Sequence, residues 1–185
     1  MPCVGVNNDF WVFSKAGREL GDLHVNYESA RRYPVKYVGD KFTLDKLNDE
    51  DLRLEKMKFG KKTDGAKNID DKTTVVYNHK ITMTGIPIEA YDYIVSGRPA
   101  LEWVMERQRI KLDNDSGIVN DANDWAIETM GNARYPLELF QRVITVSLET
   151  MKIVNALPPL VIHEGVGKDV EQQIDCAITD ITEAV

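Results

Sequence analysis

Residues 53–62 carry Arg53, Lys56, Lys58, Lys61 and Lys62 against Glu55 alone, a local net charge of +4 in a chain whose total is −7. Ammonium groups at that density are suited to holding a polyanion. A solvated strand edge is the plainer alternative for such a run. A second cluster, Tyr77-Asn78-His79-Lys80, offers amide, imidazole and ammonium groups that could reach base edges and a phosphate, or form a simple polar turn. Bond-making chemistry finds less support. Gly60-Lys61-Lys62-Thr63 ends like a phosphate-cradling loop but lacks the upstream glycine at the required spacing. No Gly-x-Gly pair follows an apolar run, and the nearest one, Gly165-Val166-Gly167, sits in a polar tail. Asp64 with Asp70-Asp71-Lys72 matches a metal-dependent nuclease only in its letters. His24, His79 and His163 are too scattered for a zinc site, and neither Cys3 nor Cys176 has a histidine beside it. The expectation is a chain with no catalytic residue, no metal and no cofactor of its own.

The elements that must position the two polar clusters follow from periodicity. Asp9 to about Tyr27 reads as an amphipathic helix with Asp9 as N-cap. Gly17 and Gly21 within it imply either a close backbone approach or a need for tertiary support. Val35–Thr43, interrupted by Gly39-Asp40, predicts a small hairpin, and 48–54 an acidic turn with a short helix. Lys56-Met57-Lys58-Phe59 alternates as a strand with one wet face, which puts Lys56 and Lys58 on the same side. Polar 60–71 reads as an exposed loop. Thr73–Tyr77 and Lys80–Thr84 predict two strands flanking Asn78-His79.

Beyond Gly85 the pattern turns helical. Pro87 to Ser96, closed by Gly97, predicts one helix, and Ala100 to about Arg109 another. Residues 113–123 read as a turn-rich connector around Gly117, and 124–130 as a short helix stopped by Gly131. Pro136 opens the longest helix, running to about Ala156. Its polar stripe of Glu138, Arg142, Thr145, Glu149 and Lys152 is narrow enough to demand burial. Residues 161–185 are acidic and permit one amphipathic helix. Trp11, Trp103 and Trp125, all in helical segments, are expected in the core.

Composition sets the outer limits. The 185 residues, 43% hydrophobic, can build a full core, and no apolar run approaches the roughly 18 residues of a membrane helix. A reducing, cytoplasmic setting is expected from two widely separated cysteines. Charge divides unevenly: residues 1–85 hold 15 Lys and Arg against 13 Asp and Glu, net +2, whereas 86–185 hold 8 against 17, net −9. The expected organisation is an α+β unit: a helix plus a small, mostly antiparallel basic sheet over 1–85, a helical, bundle-like lobe packed on it over 86–160, and an acidic tail over 161–185.

Several strings, taken in order, are distinctive. Residues 77–87 read YNHKITMTGIP, 100–108 ALEWVMERQ, 116–125 SGIVNDANDW, 135–139 YPLEL and 143–150 VITVSLET, preceded by Asp9-Phe10-Trp11 and 13–24. Together they resemble the C-terminal specificity region of the single-chain Type ISP restriction-modification enzymes, over about residues 9–160. In that family one polypeptide joins a nuclease, an ATP-driven helicase-like translocase and an adenine methyltransferase to this region. The resemblance therefore implies a non-catalytic DNA target-recognition module. Its partners would be double-stranded DNA and the upstream methyltransferase and helicase-like domains, while ATP, Mg and S-adenosylmethionine would belong to those domains. It carries over no catalytic residue. The contacts expected from the residues themselves are phosphate binding by Lys56, Lys58, Lys61 and Lys62, and base-edge reading by Asn78, His79 and Lys80. Four phosphate contacts imply a salt slope of about 3.6 units. The alternative is a helical protein-interaction module that touches no DNA.

Overall fold

The computed structural model describes residues 8–38, 43–64 and 67–159. Helix α1 spans Asn8–Val25. Its predicted Asp9 cap and the acidic 161–185 segment fall outside the described side chains and residues. Around Gly17 and Gly21 nothing lies within 4 Å of where a Cβ would be, so no close approach explains them. Tertiary support does: α1 packs on the long helix α4 described below, and Ala16 is buried.

A four-stranded antiparallel sheet holds the first half together in the order β1-β4-β3-β2. Strand β1 is Lys36–Tyr37, β2 Lys58–Asp64, β3 Lys67–Val76 and β4 Thr82–Thr84. The hairpin expected over 35–43 is not how β1 is used, since β1 pairs with β4, Lys36 opposite Thr84 and Tyr37 opposite Met83. Residues 39–42, where its turn was expected, lie outside the described chain.

The loop expected over 60–71 is instead two paired strands. Gly60 to Asp64 faces Asp71 to Lys67 in antiparallel register, with the connection at 65–66. Both faces of this ribbon are solvated. It therefore carries no apolar alternation, and backbone pairing, which ignores side-chain polarity, makes the strands. The signal present was Gly65-Ala66, a two-residue pattern with glycine first that suits a hairpin loop.

One expected helix and one expected connector resolve differently. Over 87–96 only a single 3-10 turn forms, Ile88–Tyr91. It is followed by the short hairpin β5 (Ile94–Val95) and β6 (Arg98–Pro99). Ser96 and Gly97 between them have φ of 50° and 78°, so the Gly97 read as a helix stop is half of a hairpin turn that needs two left-handed residues. Helix α2 then covers Ala100–Arg107. The connector around Gly117 also contains a hairpin, β7 (Ile110–Leu112) with β8 (Val119–Asp121). Helix α3 is Ala122–Glu128, capped by the Asp121 carboxylate, which accepts from the Asn123 N–H at 2.8 Å.

Helix α4, Tyr135–Asn155, is the spine. Leu137, Phe140 and Ile144 are almost wholly buried, each contributing about 1.5–3 kcal/mol of apolar burial. Its polar stripe is occupied rather than merely wet: Glu138 pairs with Arg32 at 2.7 Å and Arg142 at 3.3 Å. One core joins the halves. Leu52, Leu54, Val75, Tyr77, Ile81 and Met83 from the first pack with Leu101, Met105 and the α4 residues from the second. The sheet is thereby fixed against α2 and α4, and the ribbon end of β2 and β3 projects beyond it.

Candidate nucleic-acid interface

The expected reading turn is closed by its own asparagine. The Asn78 amide nitrogen donates to the carbonyls of Asp51 and Arg53, both at 2.9 Å. Its oxygen accepts from the N–H groups of Lys80 at 2.9 Å and Ile81 at 2.8 Å. Asn78 is therefore the staple that closes the turn and ties it to 51–53. Lys80 is bonded to Asp51, whose carboxyl is held below its ordinary pKa chiefly by that bond. His79 and Lys80 are both exposed, and of the three only His79 has no hydrogen-bond partner among the described residues. Beneath the turn, Tyr77 donates to the Leu52 carbonyl at 3.0 Å, and burial pushes its phenol far above the ordinary range.

The lysine run behaves otherwise. Met57 faces the core while Lys56 and Lys58 on either side are exposed, the alternation the sequence predicts. Lys56 is held at the backbone by a bridge to Arg109. Among the described residues neither Lys56 nor Lys58 makes an ion pair. Both line a cleft of about 640 Å³ between the base of the ribbon and α2, together with Phe59, Lys61, Arg98 and Arg109. Lys61 is already bonded to Asp70 across the ribbon. Lys62, adjacent to it in the strand, is not part of the cleft lining, as strand alternation requires. The four lysines thus do not form one face. Arg53, part of the same basic run, turns away and pairs with Asp121 at 2.7 Å and Asp124 at 3.1 Å.

The ribbon's aim is set by an irregularity. Register shifts between Phe59, opposite Val75, and Gly60, opposite Asp71, leaving 72–74 as a bulge. A Cβ on Gly60 would lie 2.8 Å from Thr74 Cβ, so only glycine fits there. Asp71 fastens the bulge, accepting from the Thr73 hydroxyl at 2.7 Å, the Thr73 N–H at 3.1 Å and the Thr74 hydroxyl at 3.0 Å. The Thr73 hydroxyl bond is the main reason the Asp71 carboxyl lies below its usual pKa.

Sequence reasoning missed the opposite wall of the cleft. Arg98 binds both Glu102 and Glu106, and Lys72 reaches Glu102 at 3.0 Å. Arg109 is 3.9 Å from Glu106. The alternation Arg107-x-Arg109-x-Lys111 was legible, but the acidic total of the second half concealed it. The tryptophans also depart from expectation. Trp11 and Trp125 are 64% and 44% exposed, and Trp103 donates to the Val95 carbonyl at 2.8 Å with Arg98 and Arg107 over its ring. Among the described residues no group of three His, Cys, Asp or Glu side chains is placed to hold a metal, and no helix is long and apolar enough to cross a membrane.

The model of the Type ISP C-terminal specificity domain matches residues 1–141. The chain belongs to that family. Solved structures agree with the assignment. This specificity domain is 34% identical to part of the Type ISP restriction-modification enzyme LlaGI, solved as a nuclease-deletion mutant in complex with a DNA substrate mimic. That match has a TM-score of 0.65 over 82% of this chain and 11% of LlaGI. It is 33% identical to part of the ATP-dependent Type ISP enzyme LlaBIII bound to DNA, TM-score 0.64, over 82% of this chain and 9% of LlaBIII. A DrdV–DNA complex is similar at 29% identity and TM-score 0.56, covering 84% of this chain and 15% of DrdV. The chain thus spans about a tenth of the first two enzymes it resembles. No curated protein gives a significant match.

Proposed function

We propose that this specificity domain binds duplex DNA along the cleft between the β2–β3 ribbon and α2, and positions it for methyltransferase, translocase and nuclease domains elsewhere in a larger enzyme. One observation carries the reading: in a chain of net charge −7, the unpaired ammonium groups of Lys56 and Lys58 stand together at a cleft edge beside a projecting two-stranded ribbon. A two-stranded ribbon is among the shapes the major groove admits. Lys56 and Lys58 supply phosphate contacts, and Lys61 joins them by giving up an exposed pair with Asp70 that is worth little. Lys62 contacts phosphate from the other face of the ribbon. His79 remains available at the second turn, Lys80 joins it only by giving up its pair with Asp51, and Asn78 acts through the shape of that turn. ATP, Mg and S-adenosylmethionine serve the other domains.

The test is the salt dependence of duplex binding by the full chain. Replacing Lys56 and Lys58 with glutamine lowers the slope of log affinity against log salt by about 1.8 units. An unchanged slope rejects the cleft as the phosphate-binding surface.

Docking to a neighbouring protein domain is favoured by a different feature. His24, Tyr27, Tyr93, Trp103, Val143 and Val146 line an open, largely apolar hollow. Mutating it should leave the salt slope intact and weaken association with the other domains.

A further inference from the structure

The α2 wall of the cleft is chemically unlike the lysine rim. Arg109 is mounted rigidly: its backbone bridges Lys56, and the next N–H, that of Ile110, donates to the Glu55 carbonyl at 3.1 Å. Its guanidinium is under-used. Its Nη2 lies 3.9 Å from the Glu106 carboxylate, at the limit of an ion pair, and among the described residues its buried Nε–H has no acceptor, so the terminal nitrogens are the ones a ligand would meet. Glu106 is held from the other side by Arg98, which also keeps its carboxyl ionised by depressing its pKa. A donor fork and a fixed acceptor therefore stand side by side in the wall.

Phosphate is the wrong ligand for that spot. Glu102, Glu106 and Asp70 line the same cleft and would repel an anion. A base-pair edge, with its own donors and acceptors, is not repelled. Of the four orientations, guanine offers O6 and N7 to an arginine fork, and its cytosine partner offers the N4 amino group to a carboxylate. We propose that Arg109 and Glu106 read one G·C pair through the major groove, Arg109 on guanine and Glu106 on cytosine. The proposal rests on the duplex-binding reading above. The rim lysines then supply position and the opposite wall supplies sequence, the usual division between backbone and base contacts.

The experiment selects bound duplexes from a randomised library with the full chain and with Arg109→Lys and Glu106→Ala. Lysine keeps the charge but loses the fork. The wild-type chain is expected to enrich a motif with a G·C pair preferred by about tenfold or more. Both variants should flatten that same position and leave the others intact, and Glu106→Ala carries the test if Arg109→Lys does not fold. An unchanged motif in the variants, or an equal loss on every sequence, overturns the assignment of these two residues while duplex binding stands. A wild-type chain that retains no duplex at all, with no salt slope to lose in the Lys56 and Lys58 variant, overturns the underlying reading and this proposal with it.

Discussion

The turn at 77–81 and the cleft beside β2 both carry polar hydrogen-bond donors, an amide and an ammonium at the turn, ammonium and guanidinium groups at the cleft, yet they spend them in opposite ways. At the turn, the Asn78 amide makes four hydrogen bonds within the protein and Lys80 is bonded to Asp51. At the cleft, the Lys56 and Lys58 ammonium groups make no ion pair among the described residues, and the Arg109 guanidinium comes no nearer than 3.9 Å to the Glu106 carboxylate. Residue type marks a group that can bind. Only its internal partners determine whether that capacity is free for a ligand or already committed to the fold.

The contrast is broken most directly by Asn78→Ala. It strips the partners from two carbonyls and two N–H groups, so a loss of roughly 2–4 kcal/mol is expected. In thermal unfolding that is a drop of roughly 5–15 °C. The salt slope of DNA binding, measured where the variant is folded, should not move. A stable variant with altered binding would instead make Asn78 a contact residue. Gly60→Ala comes next. Its Cβ would meet the Cβ of Thr74 at 2.8 Å, and the ribbon must shift, at about 1–3 kcal/mol by denaturant unfolding.

The double change of Lys56 and Lys58 to glutamine belongs at the other pole. Unfolding free energy should stay within about 0.5 kcal/mol of the parent, while the salt slope falls by the 1.8 units or so derived from two contacts. The smallest effect is expected from pH. The Asp71 carboxyl titrates below its unfolded value because Thr73 and Thr74 donate to it. Its contribution is present above about pH 4, the unfolded value, and is lost as pH falls through the lower folded one. Melting curves of Asp71→Asn against the parent should differ at neutral pH and converge in acid. A constant difference across that range would exclude the carboxylate as the bulge's fastener.

Legibility followed burial. Helices α2, α3 and α4, the strand around Lys58 and the pairing of β3 with β4 were readable because each buries one face and so leaves a periodic trace. The 60–64 and 67–71 strands were not, since both of their faces are wet and no side chain records the pairing. The β5–β6 and β7–β8 hairpins were missed for a related reason. They are two or three residues long, shorter than any periodic window, and Gly97 serves a helix stop and a hairpin turn equally well. In the cleft, Lys56 and Lys58 were found from local charge density. Arg109 was not, because its local pattern lies in a region whose overall charge is strongly negative.

The order of the chain alone determined the family, the spine helix and the basic segment, because composition, local spacing and ordered strings carry that information. The tertiary structure decided which polar groups are free. Asn78 was consumed by carbonyls at 51 and 53, Arg53 by the carboxylates at 121 and 124, and Arg109 was brought against Lys56, all through contacts between residues 25 to 71 positions apart. A hydrogen bond or ion pair between distant segments leaves no mark in either segment's own pattern, so the availability of a side chain appears only when the chain has folded.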